Sequence, residues 1–280
     1  MIGVMCRSLS SSPRGKNIFL EQELQKLYLQ LPFYYSGTLF AFYKKNKVKR
    51  RFLVVVTSAV FIVFISCTNA PKSDEAKTTE AKEVNSDKSG ETWKINTSDS
   101  KIEWVATKVT GYHVGNVPIK TGEIYIKNGN VTGGKFVLDL ANMQVTGPKS
   151  VDSASSKKLL GHLKSADFFD VEKNPEGTFE LTDIRPYKGE AIKDTTDPRQ
   201  EEINKYKVTD PTHTVSGNLT LKGITKNIEF PARITVSGNT AEAIAKFNIN
   251  RKDWGIVYPG KPDDLIRDAI HLGISIKAVK

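Results

Sequence analysis

Four histidines, two cysteines and one arginine are the residues of this chain whose chemistry could matter most, and their spacing argues against most of that chemistry. His113, His162, His213 and His271 are far apart, with no pair at the separation that sets two imidazoles on one helical face around a metal. Cys6 and Cys67 both lie in the N-terminal quarter, which leaves the rest of the chain without a disulfide or a thiolate metal site. Nucleophile-elbow, phosphate-loop and dinucleotide fingerprints are absent; Lys222-Gly223-Ile224-Thr225 lacks the upstream glycine of a phosphate loop. No nucleophile, base and orienting group can be named together, so the chain reads as a non-enzyme with no metal and no cofactor.

What remains is apolar. Trp104, Phe136, Leu138, Phe168, Phe169, Phe179, Leu219, Leu221, Phe247, Ile249 and Trp254 are the candidate lining of an apolar interior. A ligand with branched apolar surface and no hydrogen-bonding groups needs only such walls, and burial at about 25 cal/mol per Å² favours it. The competing reading is that the same side chains pack against one another in a filled core. Phe168-Phe169 reads as a flap at a mouth or as a plug at one end. Arg251, beside Lys252 and Asp253, reads as a contact to a phosphate through bidentate hydrogen bonds or as one half of a structural ion pair.

The elements that must position these residues follow from a period of two. Ile102, Trp104 and Ala106 alternate with Lys101, Glu103 and Thr107; Phe136, Leu138 and Leu140 with Lys135 and Asp139; Phe247 and Ile249 with Lys246, Asn248 and Asn250. Ile124 and Ile126, Phe179 and Leu181, Val215 with Leu219 and Leu221, and Leu272 with Ile274 and Ile276 repeat the pattern. Short segments of this kind are half-buried antiparallel strands. Lys127-Asn128-Gly129-Asn130, Gly133-Gly134 and Ser237-Gly238-Asn239 read as turns. One helical stretch interrupts, near residues 155–165. About eight such strands suit a closed barrel; an immunoglobulin-like sandwich would alternate similarly but lacks its Cys–Trp–Cys framework here.

Three blocks decide between these folds. Gly161 to Asp170, continued by Asn174 to Thr182, comes first; Val215 to Lys226, ending at Phe230-Pro231, comes second; Phe247 to Ile256 comes third. In this order they resemble the signature of the YceI-like family, over roughly Trp93 to Lys280. The resemblance implies an all-β, lipocalin-like antiparallel eight-stranded β-barrel with the short helix near 155–165. It also implies binding, sequestration or transport of an isoprenoid lipid, of quinone or polyprenyl phosphate type, in the barrel interior, with the eleven apolar residues above as the walls of its tunnel and Arg251 as the candidate headgroup contact. The alternative is an envelope structural or interaction lipoprotein with a filled barrel. A homodimer is compatible with either.

The N-terminal segments read as an address. Ten of the 41 Lys/Arg but two of the 31 Asp/Glu fall in residues 1–66, so that stretch carries +8 of the +10 net charge. The remainder is nearly neutral, which argues against a nucleic-acid partner. Lys49-Arg50-Arg51, the apolar run Phe52 to Ile65 and Ser66-Cys67 have the order of a signal peptide, too short to span a bilayer comfortably. Phe64-Ile65-Ser66-Cys67 resembles the lipobox of bacterial lipoproteins, which implies acylation of Cys67 and anchoring to a membrane. The expected organisation is an upstream extension or mis-assigned start over 1–47, with Val48 as the true start. A lipoprotein signal peptide over 48–66 and a disordered tether over 67–91 follow, then the barrel over 92–280. The expected location is the bacterial cell envelope, as a periplasm-facing membrane-anchored lipoprotein of either membrane or the surface. The tether is expected because Thr68 to Glu91 has no aromatic residue and one branched apolar residue, Val84. Lys188 to Lys207, polar and charged, reads as an inserted loop.

Overall fold

Alternating apolar residues give this chain its strands, and two turns with both central residues at positive φ set the hairpins. Asn128 and Gly129 have φ of 53° and 76°, Lys222 and Gly223 of 49° and 73°. That geometry matches the right-handed twist of paired strands. The computed structural model describes residues 70–84, 90–189 and 205–280, all in a unit beginning at Ser66. The signal peptide, the Val48 start and the acylation of Cys67 lie outside the described residues, as does most of the Lys188–Lys207 insertion.

The strands in chain order are β1 (Asp74–Glu75), β2 (Lys77–Glu80), β3 (Glu91–Ile95), β4 (Lys101–Lys108), β5 (Gly111–Val117), β6 (Ile119–Lys127) and β7 (Asn130–Asp139). After β8 (Gln144–Gly147) comes the helix α1 (Ser153–Lys164). Then follow β9 (Glu176–Pro186), β10 (His213–Leu221), β11 (Ile224–Ser237), β12 (Thr240–Asn250), a 3-10 turn (Arg251–Trp254), β13 (Gly260–Lys261) and β14 (Asp264–Val279). Going round the sheet, β12, β11, β10, β9, β7, β6, β3 and β14 are neighbours, and β14 returns to β12. Eight strands, every adjacent pair antiparallel, therefore close a barrel. Near one end β4, β5 and β8 take over beside β14, so the sheet carries a short flange there.

Gly133 and Gly134, expected in a turn, lie inside β7. The register slips between Tyr125 and Ile126, which face Gly133 and Val131, so β7 carries an extra residue. A Cβ on Gly134 would meet the Glu123 carbonyl oxygen at 3.1 Å. Glycine here serves a bulge and a close approach of strands, not a reversal.

A second correction concerns the expected tether. Asp74–Glu75 and Lys77–Glu80 are paired strands. β11 and β12 pair only from Ala232–Ala245 to Ser237–Thr240 and then splay apart. The N-terminal segment fills the gap: β1 runs parallel to β12 at Phe247 and Asn248, and β2 antiparallel to β11 from Lys226 to Glu229. Side chains pin it. Asn248 Nδ2 donates to Pro71 O at 3.0 Å and Glu75 Oε1 at 2.9 Å, and Asn218 exchanges two hydrogen bonds with the Lys82 backbone. This strap covers an outer-wall network in which Ser216 donates to Asn227 Oδ1 at 2.8 Å, and both residues are buried. A segment whose single apolar side chain between Asp74 and Glu80 is the methyl of Ala76 is ordered because two open strand edges supply backbone partners that water would otherwise have to satisfy.

Candidate functional site

The inward faces of the eight strands enclose apolar space rather than a solid core. Two chambers are present. One lies toward the β6–β7 and β11–β12 hairpins, with a volume of about 150 Å³. The other lies toward α1 and the 3-10 turn, with about 130 Å³. Ile102, Leu138, Leu219 and Leu272 line both, so the chambers share a waist. The walls are apolar side chains and glycine, with one charged residue in each: Glu242 in the hairpin-end chamber and Arg251 in the helix-end chamber.

All eleven apolar residues singled out from the sequence border this space. Phe136, Phe179 and Phe247 line the hairpin-end chamber; Leu138 and Leu219 stand at the waist; Trp104, Phe168, Phe169, Leu221, Ile249 and Trp254 line the helix-end chamber. Phe136, Phe179, Phe230 and Phe247 form a chain of ring contacts across the hairpin-end chamber, with centroids 6.1, 6.1 and 4.1 Å apart. Sequence reading missed Ala232, Ala241, Ala243, Ala245 and Ala278, which also line this chamber. Their positions on the strand period were the available signal, but a methyl group registers weakly in hydropathy. They matter because short side chains on β11, β12 and β14 leave the room that aromatic residues on the opposite wall do not fill.

The three sequence blocks meet at the helix end. α1 begins at Asp152, whose carboxylate accepts from Ser155 N at 2.9 Å, and ends where Ser165 O accepts from the Phe168 and Asp170 amides. This reversal turns Phe168 into the chamber, where its exposure is 6 %. His162 packs edge-on against Phe168 and Tyr258, with centroids 4.9 and 4.7 Å away. Lys222 in the β10–β11 turn donates to Ala166 O at 2.8 Å and Gly255 O at 3.4 Å, so one ammonium ties the first block to the third. Trp254, fully buried, donates from Nε1 to Leu219 O at 3.0 Å and ties the third to the second. Phe168 and Phe169 thus form part of a braced cap.

Arg251 lies in the chamber wall with 4 % exposure. Its guanidinium donates to Ile256 O at 2.6 Å, Arg267 O at 3.2 Å, Ile266 O at 3.4 Å and Asp268 Oδ1 at 3.0 Å. Burial holds its pKa below the ordinary arginine value, and Asp268 opposes that shift. These bonds keep a buried cation satisfied and fix the 3-10 turn to β14; a headgroup would have to displace one of them. Among the described residues, no group of three or more His, Cys, Asp or Glu could hold a metal, and no helix is long and apolar enough to cross a membrane.

A closed antiparallel barrel with an apolar, two-chambered interior and a helix-turn cap is the architecture of the lipocalin-like binding barrels. The YceI-like domain family model matches residues 93–278, and the chain belongs to that family. A UPF0312 protein of Pseudomonas putida (strain W619) is 32% identical over 125 residues, which is 42% of this chain and 52% of that protein. A UPF0312 protein of Serratia proteamaculans is 30% identical over the same shares. The chain spans about half the length of the curated relatives it matches. Among solved structures, Burkholderia cenocepacia BcnA aligns with a TM-score of 0.49 at 16% identity, covering 66% of this chain and 99% of its own. A polyisoprenoid-binding domain from Saccharophagus degradans implicated in plant cell wall breakdown aligns at 0.45 and 11%, covering 67% and 97%.

Proposed function

We propose that the barrel binds an isoprenoid lipid, with the tail in the two chambers and the polar end at one charged rim. The observation that carries this reading is the uninterrupted apolar wall through the shared waist. A filled barrel needs no such space, and a polar ligand would find no partner at the waist. Each chamber approaches the ~150 Å³ of an apolar cavity that accepts benzene, so the two together suit a tail of about ten carbons, or two isoprene units. A longer quinone or polyprenyl phosphate tail requires the aromatic rings at the ends to rotate aside.

The proposed setting is the bacterial cell envelope, with Cys67 acylated. Four peptide steps separate Cys67 from Pro71, the first residue seen pinned to the barrel, and span at most roughly 14 Å. The barrel would ride close to its membrane rather than on a long leash. Cys67→Ala should move the protein from the membrane fraction to the soluble fraction; retention would mean that another segment anchors it.

Binding is testable by titrating the full chain with a quinone bearing a short isoprenoid tail. Trp104 and Trp254 line the helix-end chamber, so a bound quinone should quench their fluorescence, saturating at one ligand per barrel. The tail-less quinone should not do so. Leu221→Arg, which places a charge in the helix-end chamber, should abolish saturable quenching. Equal quenching with and without the tail, or by the variant, would contradict the reading.

A further inference from the structure

Between β11 and β12 the barrel wall is not closed by its own staves. Their ladder ends at Ala232–Ala245, and beyond it the strap lies between them: Ala76 N donates to Asn248 O at 2.9 Å on one side, and Lys77 pairs with Glu229 on the other. Neighbouring strands stand about 4.8 Å apart, so β11 and β12 are separated there by roughly 10 Å. A hydrocarbon chain that touches a wall on each side at ~4 Å needs about 8 Å. The seam is wide enough for a lipid tail once the strap leaves it. Behind it, Phe230 and Phe247, the first inward residues past the last pair, stack with centroids 4.1 Å apart and planes at 17°. Phe230, Phe247 and Ile228 line the hairpin-end chamber and Ile249 the helix-end chamber, so the seam leads to both.

The strap is held by contacts that water can replace. None of residues 70–84 is buried, and its apolar contact with the core is the half-buried Ala76. The other fastenings are backbone pairs, the Asn248 and Asn218 hydrogen bonds, Ser73 donating to Tyr206 O, and ion pairs of Asp74 with Lys207 at 3.1 Å and of Glu80 with Lys226 at 2.6 Å. A segment with so little apolar burial opens at a lower free energy than the barrel around it. The helix end is the opposite case. Entry there would break the bonds of Lys222 to Ala166 O and Gly255 O and of Trp254 to Leu219 O.

The geometry points to the strap as a lateral door: the isoprenoid tail enters the barrel side-on through the β11–β12 seam when the strap lifts, with Phe230 and Phe247 as the inner latch. This rests on the reading of the interior as a lipid site and adds the route into it. Side-on entry spares the polar end of the ligand a passage through the apolar waist, where nothing would replace its water. Closure of the strap behind the tail restores the backbone pairs of both open strands.

The test is a reversible cross-link. Lys77 and Glu229 are direct partners in an antiparallel ladder, within the Cα spacing that a disulfide spans. Lys77→Cys with Glu229→Cys in the full chain, the link verified by peptide mapping, should lock the strap under oxidation and free it under reduction. The wild type, which carries Cys6 and Cys67, controls for the oxidant. Stopped-flow mixing with the short-tailed quinone reads tryptophan quenching. Oxidation of the double variant should slow association and dissociation alike, by about tenfold or more, leave Kd unchanged, and be reversed by reduction. The two states are one polypeptide, so a folding defect of the variant cannot imitate their difference. Equal association rates in the two states would overturn the door and leave the lipid reading intact. A fall in affinity in place of a matched slowing would mark a distorted chamber and overturn the door as well. Absence of saturable quenching in the wild type would overturn both readings.

Discussion

The ring of Phe179 lies over Gly217, so close that a Cβ built on Gly217 would stand 2.1 Å from its Cζ. They are diagonal neighbours on β9 and β10: Phe179 pairs with Leu219 and Gly217 with Leu181, just past a register shift between Ser216 and Gly217. The missing side chain is thus the seat of an aromatic wall residue. Gly217→Ala should force the ring toward the hairpin-end chamber and cost about 1–3 kcal/mol, the usual penalty of overpacking. Urea denaturation would measure it. Gly161→Ala, in α1 with no atom within 4 Å of the new methyl, should instead be neutral or stabilising by about 0.5–1 kcal/mol.

The Trp254–Leu219 bond makes a second prediction. Trp254→Phe keeps most of the apolar volume but leaves a buried carbonyl without its donor. Destabilisation should be about 1–3 kcal/mol, read from the denaturation midpoint. Because Trp254 also lines the helix-end chamber, tail affinity should fall with it.

His271 links the barrel to the strap and gives a pH dependence. Asn248 uses its amide nitrogen for Pro71 and Glu75, so its oxygen is the acceptor, and the His271 Nδ1 at 3.1 Å carries the proton. Tyr206 covers the ring edge-on at 5.1 Å. Burial first, and then Lys246, push the His271 pKa down to about 4 from 6.5. A histidine whose folded pKa is depressed binds more protons unfolded. Its contribution is therefore present above about pH 6.5 and is lost as pH falls towards 4, on the order of 3 kcal/mol in full. Urea midpoints at pH 7 and pH 5 should differ in the wild type, and His271→Gln should flatten the difference.

Removal of the strap should expose what it covers. A chain beginning at Glu91 leaves the β11 edge from Lys226 to Glu229 without its partner strand, takes Pro71 and Glu75 from the buried Asn248 amide, and uncovers Asn227. Lower stability and self-association through the open edges are expected, visible by denaturation and light scattering. An unchanged midpoint and a monodisperse barrel would show that the strap is ornamental.

These relationships mark where the sequence could be read and where it could not. Period-two alternation placed Trp104, Leu138, Phe247 and their companions on inward faces, because one face of each strand is apolar and the other polar. It was blind to the strap: Asp74 to Glu80 has no apolar rhythm, and its order comes from strand edges more than a hundred residues away. Gly133-Gly134 misled because a bulge and a turn call for the same residue type. Room inside the barrel was not legible either, since it depends on alanines that carry little hydrophobic signal.

The central claim is that the interior holds an isoprenoid tail. The most direct measurement is organic extraction of the full chain, purified from a bacterial host, with mass spectrometry of the extract. One isoprenoid per barrel, lost in Leu221→Arg, is the predicted result. An extract without isoprenoid, both as purified and after incubation with quinone and polyprenyl lipids, would contradict it.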